Sequence, residues 1–346
     1  MTTNDVNHQG AVDLHRGMTF GYYARNGYYS SPQARVDVDK MKALNIEWVC
    51  VIAIVMQDTF ASTRQYRDFK MTPADDELRD IIDYIHARGM KAQLRPMLEC
   101  WDGTQRGDIS FPHEKTVIPG KPINHWSRWF ESMTERTLHY ASVARRAGCE
   151  AYGLDSELCH TVHQNAYWKT VVQAARSVFS GHVTTGHTRG VDYLKELSGK
   201  DHWFYDLDSL GTSFYDPVSD KAGSSLEDMR IKLKPSLDYY RQVAALYGKP
   251  FYFSELGCCS TEGATRCPWG WGNEGGYDGN EQARYLEAVL DTFWNEPWWM
   301  GLYWWKWDEQ NDRPNFRNDP RGDKGFIIDG KPAAEVMKTW FARTDR

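Results

Sequence analysis

Short apolar runs alternate with longer amphipathic stretches along most of this 346-residue chain. Apolar runs of this length, bounded by polar residues, are typical of buried β-strands. Eight of them predict strands at residues 18–23, 48–56, 91–98, 151–158, 182–187, 209–215, 250–256 and 300–307. The amphipathic stretches predict helices between them, at residues 75–88, 126–147, 168–179, 226–247 and 281–294.

The helix predicted at residues 75–88 has the clearest boundaries. Its apolar side chains recur at helical spacing, at Leu78, Ile81, Ile82 and Ile85. Thr72 stands in the place of an N-cap residue, followed by Pro73 in the first turn. Gly89 follows the last apolar residue and is suited to end the helix.

The alternation of strand and helix continues without a linker rich in Gly, Pro or Ser, and without an internal repeat. Successive β-then-α units predict a fold of the α/β class, a (β/α)8 barrel. We expect a single domain over residues 18–346, preceded by an N-terminal extension of residues 1–17. Active sites in this fold lie on the loops that follow the strands, and the loops at 99–125 and 257–280 are long.

The aromatic content changes the functional picture. The chain has 15 Trp and 19 Tyr, more than a core of this size needs. Aromatic rings stack on the apolar C–H faces of sugars, and Tyr and Trp keep a polar atom for hydroxyl groups. A large barrel that buries many aromatic side chains is the alternative interpretation.

Charge and hydropathy exclude other classes of partner. The net charge of −6 argues against a nucleic acid or an anionic membrane surface. No stretch is apolar enough to predict a membrane span. The N-terminus, MTTNDVNHQG, lacks the apolar segment of a secretory signal, so we expect a cytoplasmic protein unless a signal was removed. The seven cysteines show no C-x-x-C spacing and are expected to be reduced thiols.

Two glutamates follow apolar strands where a carboxylate is costly to bury without a purpose. Glu157, in AYGLDSEL, ends the fourth predicted strand, and Glu255, in PFYFSELG, ends the seventh. The C-terminal ends of barrel strands share one face, so both side chains are expected at the same mouth. Hydrolysis of a glycosidic bond needs such a pair, one carboxyl to protonate the leaving oxygen and one to attack or to activate water.

With these motifs the chain resembles the clan A glycoside hydrolases, and more specifically glycoside hydrolase family 113, whose members are mainly β-1,4-mannanases. The resemblance covers nearly the whole chain, through LRPMLECWDGTQRGDI, GLDSEL, SFYDPV, FSELG, GLYWWKW and GFIIDGKPA. It implies a retaining enzyme acting on β-1,4-linked mannan or manno-oligosaccharides, with no cofactor and no metal. One departure is Ser156, where many clan A enzymes carry Asn before the acid/base.

The resemblance also implies roles for individual residues. Glu157 would be the acid/base and Glu255 the nucleophile. Tyr215 would donate a hydrogen bond to the nucleophile, which stabilises its anionic form. Trp305 would lie under the sugar at the cleavage point, and Trp307 is a second candidate, because the sequence does not show which strand-eight tryptophan faces inward.

Further candidates for sugar binding lie near the two long loops. Arg95 follows an apolar run, which favours a buried, hydrogen-bonded role near the site. Asp102 and Arg106 are suited to hold sugar hydroxyls or to form surface ion pairs. The loop tryptophans are candidate stacking platforms, namely Trp101, Trp269 and Trp271.

Several alternatives remain open from the residues alone. The sugar could be gluco- or xylo-configured. Asp155-x-Glu157 also resembles the end of a chitinase motif, in which the substrate itself supplies the nucleophile. A metal-dependent hydrolase would draw on the histidines near strands four and five, which are His160, His163, His182 and His187. A barrel that binds sugar without cleaving it is the alternative outside the enzymes. Oligomeric state is not predicted.

Overall fold

Eight parallel strands close into a barrel in the computed structural model, which describes residues 13–111, 115–118, 121–188, 190–194, 201–270, 275–309 and 320–346. The barrel strands are β1 His15–Phe20, β2 Trp48–Gln57, β3 Lys91–Cys100, β6 Ala151–Ser156, β7 His182–His187, β8 Ser209–Phe214, β9 Phe251–Leu256 and β10 Trp299–Trp307. Their order around the barrel is β1-β10-β9-β8-β7-β6-β3-β2. The predicted (β/α)8 barrel is confirmed.

The helices of the described residues surround the barrel, and five of the seven cover the stretches predicted to be helical. Their bounds are α1 Pro32–Ala43, α2 Asp75–Ala87, α3 His125–Arg146, α4 Asn165–Val178, α5 Leu226–Tyr247, α6 Gly279–Phe293 and α7 Pro332–Phe341. Between β7 and β8 the described residues form a short 3-10 turn, Trp203–Asp206, in place of an α-helix. Among all the residues that the structure describes, no helix is both long enough and apolar enough to cross a bilayer.

Two helices escaped the sequence prediction. The buried side of α1 is built mainly from Ala34, Val38 and Met41, with Asp37 buried among them, so its apolar stripe is weak. Small and polar residues on that side leave little periodic signal in the sequence. Helix α7 buries Ala333, Ala334, Met337 and Phe341, but it has only ten residues, and so short a stretch repeats the helical spacing too few times to stand out.

The residue predicted to cap the N-terminus of α2, Thr72, is wrong. The helix begins at Asp75 after Ala74, and the Glu77 carboxylate accepts a hydrogen bond of 2.6 Å from the Ala74 backbone N–H. Thr72 instead accepts a hydrogen bond of 2.9 Å from the Asp68 backbone N–H in the preceding loop. Glu77 therefore satisfies a free N–H at the helix start, which the Thr72 hydroxyl was expected to do.

Strand β1 begins at His15, three residues before the predicted start, so the end of the predicted extension belongs to the barrel. It pairs with β10 from His15 onward and with β2 from Gly17 onward. The long loop after β3 contains a two-stranded antiparallel hairpin, β4 Lys115–Ile118 and β5 Lys121–Asn124. Strands β2 and β3 pair without a break over ten residues, which carries both to the same rim of the barrel.

Candidate active site

A cleft of about 1000 Å³ opens at the C-terminal ends of the barrel strands. This is the face on which barrel enzymes place their catalytic groups. The walls combine carboxylates, a guanidinium and aromatic rings. They are formed by Tyr22, Tyr23, Gln105, Arg106, Glu157, Thr188, Gly190, Ser213, Tyr215, Asp216, Pro217, Glu255, Trp269, Trp305 and Phe326. Both predicted catalytic glutamates therefore line one cleft.

Glu157 stands directly after β6 in an unusual backbone conformation. Its φ of +61° lies in the left-handed region, which is uncommon for a residue other than glycine. Its N–H donates a hydrogen bond of 2.9 Å to the Gly186 carbonyl at the end of β7. Such a conformation costs on the order of 1 kcal/mol and is concentrated at functional sites. The turn directs the carboxylate into the cleft.

Arg106, on the loop after β3, holds the Glu157 carboxylate. Its Nη1 donates a hydrogen bond of 2.9 Å to Glu157 Oε2, and its Nη2 bonds Glu99 Oε1. Its Nε donates to the Leu98 carbonyl at 3.1 Å, and Nη2 also reaches the Tyr22 hydroxyl at 3.2 Å. The guanidinium is thereby fixed by β3 and shared between two carboxylates.

Glu255, near the end of β9, is buried and hydrogen-bonded. Ser156 Oγ donates to its Oε1 at 2.8 Å, and the Tyr215 hydroxyl approaches its Oε2 at 3.4 Å. Arg95 Nη2 lies 3.6 Å from Oε1. Burial, and then the charge of Glu157, raise the pKa of Glu255 to about 7, and Arg95, Arg106 and Ser156 act against this rise.

Arg95 is a fully buried cation inside the barrel. Its Nη1 donates a hydrogen bond of 3.1 Å to the Ser254 carbonyl, next to Glu255. A side chain at Gly153 would bring its Cβ to 3.0 Å from the Arg95 stem, so glycine there leaves room for the guanidinium. The structure thus places Arg95 beneath the nucleophile candidate and not among the residues that line the cleft.

The aromatic candidates divide between the cleft and other places. Trp305 lines the cleft and packs against Tyr22 with ring centroids 4.9 Å apart, and Trp269 lines it with 52% of its surface exposed. Trp307 does not face the cleft, because it is fully buried beside Asp37 of α1. Trp271 lies outside the described residues.

Trp101 and Asp102 lie on the loop after β3 and are not among the residues that line the cleft. Trp101 is half-exposed and lies near the Tyr66 hydroxyl. The exposed Asp102 carboxylate accepts hydrogen bonds from the backbone N–H groups of Thr104 and Phe60, at 3.0 and 3.3 Å. These bonds lower the pKa of Asp102 and fold the loop.

Three contributors to the site were missed by sequence reasoning. Ser156 was treated only as a departure from the clan pattern, yet it bonds Glu255. Tyr22 and Glu99 bond each other at 2.9 Å, and both contact Arg106. Glu99 ends an apolar strand as Glu157 and Glu255 do, and this was the signal available for it.

The four histidines considered for a metal site do not form one within the described residues, where no group of three or more His, Cys, Asp or Glu side chains is arranged to hold an ion. His160 and His163 are exposed. His182 Nε2 lies 2.7 Å from Ser209 Oγ. His187 is packed against Phe204, and burial lowers its pKa to about 3.

Comparison with known proteins places this geometry in a family. The sequence profile of Glycoside Hydrolase Family 113 matches residues 18–331. The β-mannanase AaManA from Alicyclobacillus acidocaldarius, solved in complex with ManMIm, is 28% identical, with a TM-score of 0.83 over 96% of this chain and 98% of that one. A family 113 β-1,4-mannanase complex is 27% identical, with a TM-score of 0.79 over 96% and 100% of the two chains.

More distant structures share the barrel alone. A family 5 mannosidase from Rhizomucor miehei is 12% identical, with a TM-score of 0.59 over 96% of this chain and 93% of that one. No curated protein sequence matched the chain.

Proposed function

The chain belongs to glycoside hydrolase family 113 and is a glycoside hydrolase, and we propose that it cleaves β-1,4-linked mannan or manno-oligosaccharides with retention of anomeric configuration. The observation that carries the proposal is the meeting of Glu157 and Glu255 in one cleft with Trp305. The choice of sugar follows the family 113 β-mannanases that share this fold over nearly the full length of both chains.

The surroundings of the two glutamates support different roles for them. The Glu255 side chain is 4% exposed and accepts hydrogen bonds on both oxygens, which suits a nucleophile that must be held in one orientation. The Glu157 side chain is 18% exposed, which suits an acid/base that exchanges protons with water. We therefore assign Glu255 as nucleophile and Glu157 as acid/base.

The reaction then proceeds in two displacements. Glu255 attacks the anomeric carbon while Glu157 gives its proton to the glycosidic oxygen, and the aglycone leaves as an alcohol. Glu157, now ionised, takes a proton from a water molecule. That water attacks the same carbon, breaks the ester and restores the Glu255 carboxylate. Two inversions give net retention, and the mechanism calls for carboxyl groups about 5–5.5 Å apart.

The first displacement needs one proton shared by the carboxyl groups of Glu157 and Glu255, and Glu157 must carry it. Burial and mutual repulsion keep one proton on the two carboxyl groups up to about pH 7. The hydrogen bonds from Ser156 and Tyr215 stabilise the charged form of Glu255, which the nucleophile must carry when it attacks.

The test is product analysis on matched manno-, gluco- and xylo-oligosaccharides, with the first-formed anomer followed by NMR. The proposal expects cleavage of the manno series to give the β-anomer first. Glu255→Gln should abolish turnover, whereas a substrate-assisted chitinase-like enzyme would stay active. Cleavage confined to the gluco or xylo series would contradict the assigned sugar, and α-anomer as the first product would contradict retention. Sugar binding by folded protein without turnover of any substrate would favour the non-catalytic barrel.

A further inference from the structure

The two catalytic glutamates belong to a partly buried cluster whose charges do not balance. Three carboxylates contribute to it, from Glu99, Glu157 and Glu255. Two guanidinium groups face them: Arg106 bonds Glu99 and Glu157, and Arg95 lies 3.6 Å from Glu255. Counted over these contacts between described residues, three negative charges meet two positive ones when every group is ionised.

An unbalanced buried charge is costly, and protonation of one carboxylate removes it. With one proton the cluster holds two negative and two positive charges. A retaining glycosidase needs this state, with one ionised nucleophile and one protonated acid. The extra carboxylate is therefore a reason for the site to keep its proton near neutral pH.

Glu99 is the member of the cluster without a place in the chemistry. It does not line the cleft, and its side chain is 23% exposed. Its Oε1 accepts hydrogen bonds from the Tyr22 hydroxyl at 2.9 Å and from Arg106 Nη2. Arg106 is also tied to the Leu98 carbonyl of the same strand. Glu99 thus acts on Glu157 through a shared guanidinium.

We propose that Glu99 is a positioning residue that, by sharing Arg106 with Glu157, leaves the cluster one positive charge short and so keeps the catalytic proton in the site. The proposal rests on the proposed function. Its particular content is that the charge of Glu99, and not its shape, sets the pH at which the acid is lost.

Among the described residues, the remaining ionisable groups around the cluster do not supply the missing charge. Glu157 is faced also by Tyr215 and by the Cys159 thiol, both neutral at physiological pH. Asp155 is paired with Arg136 at 2.5 Å. Beyond Tyr22 and Tyr23, the positive charge of Lys306 is already paired with two carboxylates, that of Asp308 at 3.4 Å and that of Glu309 at 3.8 Å.

The experiment compares pH profiles of kcat/KM on a manno-oligosaccharide for Glu99→Gln and the wild type. Glutamine keeps the shape and an oxygen that accepts from Arg106, and it removes only the charge. We expect the basic limb of the profile to move to lower pH by about one pH unit, because Arg106 is then free to neutralise Glu157 fully. Arg106→Gln should move the limb in the opposite direction, even where it lowers the overall rate.

The matched control is Glu47→Gln, which removes the negative charge of an ion pair at the opposite end of the barrel, where Glu47 lies 2.8 Å from Arg16. Its basic limb should coincide with that of the wild type. The proposal would be overturned if the basic limb of the Glu99→Gln profile stays in place or moves to higher pH. If this variant does not fold, an Arg106→Gln limb that does not move to higher pH would overturn it. Absence of turnover by the wild type on every β-linked substrate would instead overturn the proposed function.

Discussion

Ser156 Oγ donates a hydrogen bond of 2.8 Å to Oε1 of Glu255, which lies 99 residues away along the chain. Ser156 is also the residue directly before Glu157. Strand β6 therefore supports both carboxylates, one through its last side chain and one through the residue that follows it. This contact links the geometry of the acid/base to that of the nucleophile.

Removing the Ser156 hydroxyl should slow the reaction. Ser156→Ala leaves a buried carboxylate oxygen without its donor, and a hydrogen bond to a charged group contributes about 1.5–3 kcal/mol. We expect kcat on a manno-oligosaccharide to fall by about tenfold to a hundredfold. Ser209→Ala is the control, since this buried serine bonds Thr184 near the other end of the barrel. Equal losses in the two variants would show that Ser156 acts only through folding.

Glu255 should make the folded protein less stable as the pH rises. Its pKa is raised from 4.5 to about 7, so the folded state binds a proton that the unfolded state releases between these values. The free energy of unfolding therefore falls as the pH rises through this window, by about 3 kcal/mol from this group.

Glu255→Gln removes the cost of an ionised Glu255 in the folded protein. The variant should therefore unfold at a higher temperature than the wild type at about pH 8, with a smaller difference at about pH 5. Thermal unfolding at the two pH values measures this, and Glu47→Gln again serves as the control. A variant less stable than the wild type at the higher pH would contradict the assignment of an unfavourable buried charge to Glu255.

Trp305 and Trp307 should respond differently to the same substitution. Trp305 lines the cleft, so Trp305→Phe loses stacking area and we expect KM to rise by about fivefold. Trp307 is fully buried beside Asp37, so Trp307→Phe should lower Tm and leave KM unchanged. Steady-state kinetics and thermal unfolding separate the two effects. A rise in KM for Trp307→Phe alone would reverse the roles.

The barrel was predictable because its signals are local. Apolar runs such as those of β2 and β9 are buried along their whole length, and their spacing along the chain predicts the alternation of strand and helix. Glu157 and Glu255 stood out for the same reason, as charged residues at the ends of such runs. Helix α1 was missed because Asp37 interrupts its buried side.

The contacts of the site were less predictable because they join distant parts of the chain. Tyr22 bonds Glu99 across 77 residues, and Arg106 bonds Glu157 across 51. Neither pair has a periodic pattern that would indicate its partner. Asp102 was a candidate for sugar binding or for a surface ion pair, and the sequence did not indicate that its carboxylate accepts hydrogen bonds from the backbone N–H groups of Thr104 and Phe60. A short side chain beside a glycine also suits such a turn.

Covalent trapping of the nucleophile tests the central claim most directly. A 2-fluoro-mannoside with a good leaving group lets the first displacement occur and slows the second, so the sugar stays on the attacking residue. We expect mass spectrometry of the digested protein to find the sugar esterified to Glu255, and Glu255→Gln to remain unlabelled. A label on any other residue, or inactivation without a covalent sugar, would contradict the double displacement proposed for Glu157 and Glu255.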